Sequence, residues 1–293
     1  MPIKKIGSRG ILFNLPSNPF SVQIYCINSP NYLFIIDTGV VLENQMEEVK
    51  KYLEEHNLLT KPVIIFHTHH HYDHTGNNWV IESDFIISHH LSLGKFQETV
   101  ELLSKYEAYK AVAEKILSPN LTFSDKLIFE DEGVEFFYSP GHTVDSASCY
   151  DVIDKILIIG DSVVRPLASI NWHNLDRFLQ TLEDYKKIDF NKVILGHEEV
   201  SEDRNIFDET INYIKNFKEM NVDTTGFTED HALLYRWGLV NIARDFKKHG
   251  LAENAKKFLL EAKTAIENPV IKPKDEGELK QIKDLIEEEL KEI

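Results

Sequence analysis

In the first part of the chain, short apolar stretches alternate with amphipathic segments, and each apolar stretch ends at a turn residue. Tyr32-Leu33-Phe34-Ile35-Ile36 and Val63-Ile64-Ile65-Phe66 are uninterrupted apolar runs, the pattern of strands buried on both faces. Between them, apolar residues at helical spacing predict an amphipathic helix from about Glu43 to His56. Upstream, from Ile3 to Asp37, strand-like segments are broken by Gly7, Gly10, Pro16-Ser17-Asn18-Pro19 and Ser29-Pro30-Asn31, which predicts a β-meander. A helix starting near Gly76 and a strand at Phe85-Ile86-Ile87 continue the alternation, so the N-terminal half passes from meander into β-α-β. Residues 91–117 read as a helical pair packed on the core, with Phe96, Leu102, Leu103, Tyr106 and Tyr109 as its apolar side chains. A lid over a site is the second reading of this pair.

A further round of strands is predicted at Lys126–Phe129, Val134–Tyr138, Ala147–Tyr150 and Lys155–Ile159. A helix around Leu175–Ile188 then leads to a strand at Lys192–Leu195. Residues 203–293 are helical and charged, with helices expected over Glu202–Met220, His231–Lys248, Ala252–Glu267 and Glu276–Lys291. Phe246, Gly250, Ala255, Leu259 and Ala262 fall at the offsets of a tetratricopeptide helical hairpin. Small residues let any two helices pack closely, so a helical cap is favoured over a peptide-binding module. The expected division is a catalytic domain over 1–202 and a helical extension over 203–293.

Composition narrows the partners. Of 293 residues, 42% are hydrophobic and 11% aromatic, which is ordinary for a globular protein and too apolar for disorder. A net charge of −16 repels a phosphate backbone, so no nucleic acid is expected as partner. No apolar run approaches a membrane span, no apolar signal segment follows the basic first residues, and a cytoplasmic protein with a small-molecule substrate is expected. Cys26 and Cys149 stand apart in strand-like contexts and read as buried thiols.

Candidate chemistry is concentrated in His67-Thr68-His69-His70-His71-Tyr72-Asp73-His74-Thr75-Gly76, directly after the strand Val63–Phe66. Imidazole and carboxylate are ligands that zinc, iron and manganese accept. His69 and His71 can supply one ion, leaving Asp73 and His74 for a second beside it. Composition alone favours reading a short histidine tract as a solvated loop that binds metal loosely. Three later stretches place His or Asp after a strand or turn, beside glycines: Ser139-Pro140-Gly141-His142-Thr143, Gly160-Asp161-Ser162 and Gly196-His197-Glu198. Glycine there lets the backbone turn sharply at the sheet edge.

Taken together, Ile36-Asp37-Thr38-Gly39, His69-x-His71-x-Asp73-His74, Pro140-Gly141-His142-Thr143, Gly160-Asp161 and Gly196-His197 resemble the metallo-β-lactamase superfamily in order and spacing, over about residues 10–200. The resemblance implies a four-layer αββα sandwich with a metal site at one edge of its sheets. It implies two divalent ions, zinc first and iron or manganese as alternatives. His69, His71 and His142 would hold one ion, Asp73, His74 and His197 the other, and Asp161 would bridge them. Asp37 would brace the histidine loop, and Thr68 and Thr143 are either supporting hydroxyls or ordinary turn caps. His67 shares the side of His69 and His71 in an extended backbone while His70 points away, and neither enters the ligand set.

A bridging aspartate is similar to the thioesterase, lactonase and RNA-processing branches and unlike the antibiotic-degrading one. His71 stands where the oxygen-reducing di-iron branch has Glu. The implied activity is hydrolysis of a small ester, thioester or lactone by a hydroxide held between the ions, with Asp73 as both ligand and catalytic carboxylate. The alternatives are a mononuclear iron oxygenase resembling persulfide dioxygenases, using His69, His142 and Asp161, and a phosphodiesterase or nuclease branch. Two departures bear on substrate. Glu198 follows His197 where thioesterases commonly have Gly, and Val164 stands where lactonases often carry Tyr. Arg165 is a candidate clamp for a substrate carboxylate and equally a surface ion-pair residue. His173, beside Trp172, is a candidate lining residue of the cleft, and a homodimer through the helical C-terminal region is carried as an expectation.

Overall fold

A computed structural model of the chain describes residues 1–17, 21–40, 45–198, 200–267 and 276–293. The chain folds into two compact units, Met1–Pro140 with Asp145–Asp161 and Ile188–Asp203, and Gly141–Val144 with Ser162–Lys187 and Arg204–Ile293.

The first unit contains both sheets. Strands β1 (Ile3–Ile6), β2 (Gly10–Leu15), β3 (Val22–Asn28), β4 (Leu33–Ile36), β5 (Val63–Phe66), β6 (Phe85–His89) and β7 (Leu121–Phe123) lie side by side in chain order. The pairs from β1 to β4 are antiparallel, the predicted meander, and those from β4 to β7 are parallel. Strands β8 (Lys126–Phe129), β9 (Val134–Tyr138), β10 (Ala147–Asp151), β11 (Ile156–Ile158) and β12 (Lys192–Ile194) form the second sheet in the order β12-β11-β10-β9-β8, with only the β11–β12 pair parallel.

The unbroken apolar runs are explained by what covers each face. Along β5, Ile64 and Phe66 enter a core shared with Val134, Phe136, Cys149 and Ile158 of the second sheet. Val63 and Ile65 point the other way, onto a core with Met46, Val49 and Leu53 of helix α1 (Gln45–Glu55). Alternate residues thus face alternate layers, and neither face tolerates a polar side chain. The stacked rings of Phe66 and Phe136, 4.1 Å apart, close the space between the sheets. Each such ring contributes on the order of 1.5–3 kcal/mol by leaving water. Cys26 and Cys149 are buried free thiols, one in each core.

The helix predicted from Glu43 begins outside the described residues, as do Asn18 and Pro19 of the first predicted turn; α1 is described from Gln45. Instead of starting near Gly76, the next helix is a single turn, α2 (Tyr72–Thr75), within the histidine loop and followed by turns. Helices α3 (Ser92–Ser104) and α4 (Glu107–Ala113) meet through Leu103 and Ala113 with Val100, Tyr109 and Val112 around them, while Leu102 and Tyr106 stay exposed.

The second unit is helical: α5 (Leu175–Tyr185), α6 (Asn205–Glu219), α7 (Glu229–Lys248), α8 (Ala252–Glu267) and α9 (Glu276–Lys291). The hairpin of α7 and α8 turns at Gly250, whose φ of 73° is the left-handed conformation that ends a helix. Gly250 N donates to Lys247 O and Leu251 N to Phe246 O, closing the last turn of α7 in a Schellman motif. Phe246 stacks on Phe258, and Ala255, Leu259 and Ala262 are buried in the hairpin.

Candidate metal centre

Parallel pairing sets the site. Because β4 and β5 run together, and β11 and β12 run together, the residues after each strand emerge at the same end of their sheet: Asp37, the histidine loop, Asp161 and His197. Candidate ligands therefore come from chain segments far apart in sequence, each anchored by the strand before it.

Asp37 organises the histidine loop. Its backbone is left-handed at φ 62°, which aspartate tolerates better than most side chains. Its carboxylate accepts from Thr68 N at 2.8 Å, Thr68 Oγ1 at 2.8 Å and His74 Nδ1 at 2.8 Å. The Nδ1 proton of His74 is thereby committed to Asp37, so Nε2 is the nitrogen a metal would meet. Backbone bonds from Asp37 N to Phe66 O and from Thr38 N to His74 O lock the two loops together.

One donor group brings together His69, His71 and Asp161; the other is Asp73, His74 and His197, with one ligand atom from each residue within 4.8 Å of the others in its group. His69 Nε2 and His71 Nδ1 lie 3.0 Å apart. That is the separation set by two metal–nitrogen bonds of ~2.0–2.1 Å at about a right angle. Asp161 stands between the groups: one oxygen is 3.1 Å from His197 Nε2 and 3.9 Å from His69 Nε2, the other 3.3 Å from His74 Nε2. Asp73 Oδ2 lies 3.4 Å from His197 Nε2 and 3.7 Å from His74 Nε2. Gly196 makes this packing feasible, since a Cβ there would come 2.1 Å from Asp161 Oδ1.

These residues fit a cation better than they fit one another. His74 Nε2 is buried without a hydrogen-bond partner, although carboxylates approach it from two sides. A buried imidazole nitrogen in that position costs free energy unless a proton or a metal satisfies it. Burial alone would push the His74 imidazole down, but Asp161, Asp73 and Asp37 hold it well above its ordinary value. At His197 burial is likewise outweighed by Asp161 and Asp73, and the pKa rises to about 9. Burial would raise the Asp161 carboxyl, yet His197 and His74 hold it well below the usual carboxylate range. Positive charge is stabilised at the centre of the cluster, as a bound divalent ion would supply it.

The other predicted positions are placed as follows. His197 Nδ1 is 2.9 Å from Ser21 O, which directs Nε2 toward Asp161. His142 and Thr143 are buried in the second unit, where His142 Nδ1 is 2.8 Å from Ser169 O. Arg165 is exposed in the same unit, and His173 is bound to Asp245 through Nδ1 at 2.6 Å. His67 is buried against Phe96, 3.2 Å from Asn78 Nδ2, and its burial holds the imidazole below its ordinary value. His70 pairs with Asp145 at 2.8 Å. Asp145, Ser21 and Asn78 did not stand out in the sequence. Only Asp145 left a signal, as a carboxylate closing Pro140-Gly141-His142-Thr143-Val144-Asp145.

Comparison with known proteins agrees with this geometry. The family model described as metallo-beta-lactamase superfamily matches residues 17–197. A hydroxyacylglutathione hydrolase of Pelagibacter ubique is 28% identical over 154 residues, 48% of this chain and 55% of that protein. An acyl-coenzyme A thioesterase of Bos taurus is 26% identical over 172 residues, 51% of this chain and 61% of that protein. The matches thus cover little more than half the length of these curated relatives. Among solved structures, a metallo-beta-lactamase family protein of Thermus thermophilus superposes with a TM-score of 0.62 at 18% identity, covering 82% of this chain and 94% of that one. A metallo-beta-lactamase from Pontibacter korlensis gives 0.55 at 19% identity, covering 73% and 99%. Likeness at this identity bears on the fold alone, which is the mixed α/β two-sheet fold expected from the sequence. With a family model matched over residues 17–197, more than half of its length, this chain belongs to the metallo-beta-lactamase superfamily.

Proposed function

We propose that this protein hydrolyses a small carbonyl ester, thioesters foremost and lactones second, with two divalent metal ions, zinc before iron or manganese. The observation that carries the reading is the position of Asp161, one carboxylate shared between two sets of nitrogen donors, as a bridging ligand requires. His69, His71 and His142 would hold one ion and Asp73, His74 and His197 the other. The curated relatives named hydroxyacylglutathione hydrolase and acyl-coenzyme A thioesterase support a thioester.

When bound, such ions supply water activated at neutral pH and polarisation of a carbonyl oxygen. The chain's own groups do the rest. Asp37, Ser21 O and Ser169 O fix the proton on Nδ1 of His74, His197 and His142, so each presents Nε2 to the ion. Asp73 is the most accessible carboxylate of the cluster, a quarter exposed against 5% for Asp161. Asp73 would orient the attacking water, whereas Asp161 is committed to its imidazole neighbours. Asp73→Asn is therefore expected to lower turnover more than substrate affinity.

The test combines metal content, measured by mass spectrometry on untagged protein purified without chelator, with a substrate panel at fixed metal loading. The panel holds thioesters, lactones, aryl esters, a β-lactam and bis-p-nitrophenyl phosphate. Two ions per chain and the highest specificity constant on a thioester are expected. A single iron that survives His197→Ala, or a preference for the phosphodiester, refutes the reading.

A further inference from the structure

The second unit gathers another set of metal-type donors, none of which belongs to the centre described above. Asp245 and His249 lie one turn apart at the C-terminal end of α7, beyond the residues matched by the family model, and His173 comes from the segment before α5. Asp245 Oδ2 accepts from His173 N at 2.9 Å and from His173 Nδ1 at 2.6 Å. His249 Nδ1 is 2.8 Å from Asp245 O and 3.7 Å from Asp245 Oδ1. The two imidazole rings lie 4.3 Å apart at 45°.

We infer that His173, Asp245 and His249 form a further binding site for a borderline divalent cation such as zinc. One ligand atom from each of the three lies within 4.8 Å of the other two. Two imidazoles and a carboxylate are a donor set that zinc and its neighbours accept, and three protein ligands leave room for water. The set is also pre-positioned. Asp245 and His249 are fixed by the last turn of α7, which the Schellman motif at Gly250 closes. His173 is fixed by its main-chain bond to Asp245 and by Asn174, whose side chain caps α5 at Arg177 N. Little ordering remains to oppose binding.

Charge and access agree with this assignment. The end of a helix carries partial negative charge, which adds to that of Asp245 and favours a cation. The three side chains are 21%, 18% and 51% exposed, so an ion can enter from solvent. A simple tether between His173 and Asp245 would account for their hydrogen bonds alone. His249 adds the third donor: held through Nδ1 to the Asp245 carbonyl, it lays its ring against that of His173 with half its surface exposed.

The test uses the full chain, stripped with a chelator, reloaded by equilibrium dialysis against zinc chloride and analysed for zinc per chain. Wild type is expected to bind one ion more than His249→Ala and one more than Asp245→Asn. Asp245→Asn retains an oxygen for the His173 main-chain N–H, so it keeps the tether while losing the charge, and it decides the question if His249→Ala is misfolded by circular dichroism. Equal zinc content in wild type and the folded variants overturns the site. The readout is a difference, so it does not depend on the proposed dinuclear centre: if that centre binds nothing, wild type still holds one ion and the variants none.

Discussion

Asp37 offers the sharpest test of how the histidine loop is built. Asp37→Asn keeps the side-chain shape, and Asn tolerates the left-handed backbone at φ 62° as well as Asp does. The amide oxygen can still accept from Thr68 N, and the Thr68 hydroxyl can rotate to accept where it had donated. His74 cannot adapt so easily. Its Nδ1, 2.8 Å from Oδ2 of Asp37, would face an amide N–H and be driven to accept, shifting the ring proton to Nε2. That is the nitrogen directed at Asp161 and Asp73, and a protonated nitrogen cannot bind a metal. In the variant the productive tautomer lacks the hydrogen bond to a charged acceptor that stabilises it in wild type, a difference of about 1.5–3 kcal/mol. At about 1.4 kcal/mol per decade this is a loss of roughly 10–100-fold in affinity for the ion that His74 holds. The measurement is zinc affinity by competition with a chromophoric chelator, in wild type and in variant shown to be folded by circular dichroism. An unchanged zinc affinity in the folded variant would refute the reasoning, because Asp37 would then be a turn residue with no hold on the metal.

Other outcomes follow from single contacts. Gly196→Ala would set a Cβ 2.1 Å from Asp161 Oδ1 and 3.0 Å from His74 Cε1, so loss of bound metal from a protein that still folds is expected; wild-type metal content counts against Asp161 as a ligand. Arg9 holds Asp151 at 2.6 Å with side chains 11% and 0% exposed and also donates to the carbonyls of Glu132 and Gly133. Removing it leaves a buried carboxylate without its cation, so Arg9→Ala should cost about 3–5 kcal/mol in urea unfolding, and a surface-like loss of less than ~1 kcal/mol would contradict this. Burial would raise the Glu132 carboxyl, but Ser29, Asn31 and Arg9 together hold it below its usual value. A depressed folded-state pKa means that this stabilisation is present above the unfolded value, ~4.3, and lost as pH falls through the folded one. The stability gap between wild type and Glu132→Gln, followed by thermal unfolding, should be full at neutral pH and shrink below about pH 4; a pH-independent gap would show that the charge contributes nothing.

The sequence by itself determined the elements whose signal is local. The run Val63–Phe66 could only be a strand covered on both faces, and the cores around Phe66 and Ile65 show the two coverings. Helical periodicity gave α8 from Ala252 and α9 to Lys291, because amphipathic spacing is read within a few turns. The metal-type residues were equally legible, since each follows a strand and its chemistry is carried by the side chain itself. Tertiary structure decided what the ligands rest on. His197 is held by Ser21 O, which no spacing marks, and His70 by Asp145, whose only signal is its place at the end of a histidine motif. It also decided that α2 forms at Tyr72–Thr75 and not from Gly76, where the loop is already turning, with Thr38 N donating to His74 O and Gly76 N to Gly39 O. The grouping of His173 with Asp245 and His249 joins positions more than seventy residues apart. Periodicity reports which face of an element is apolar; which distant segments meet at the end of a strand or helix is set by packing and backbone hydrogen bonds, which leave no periodic trace.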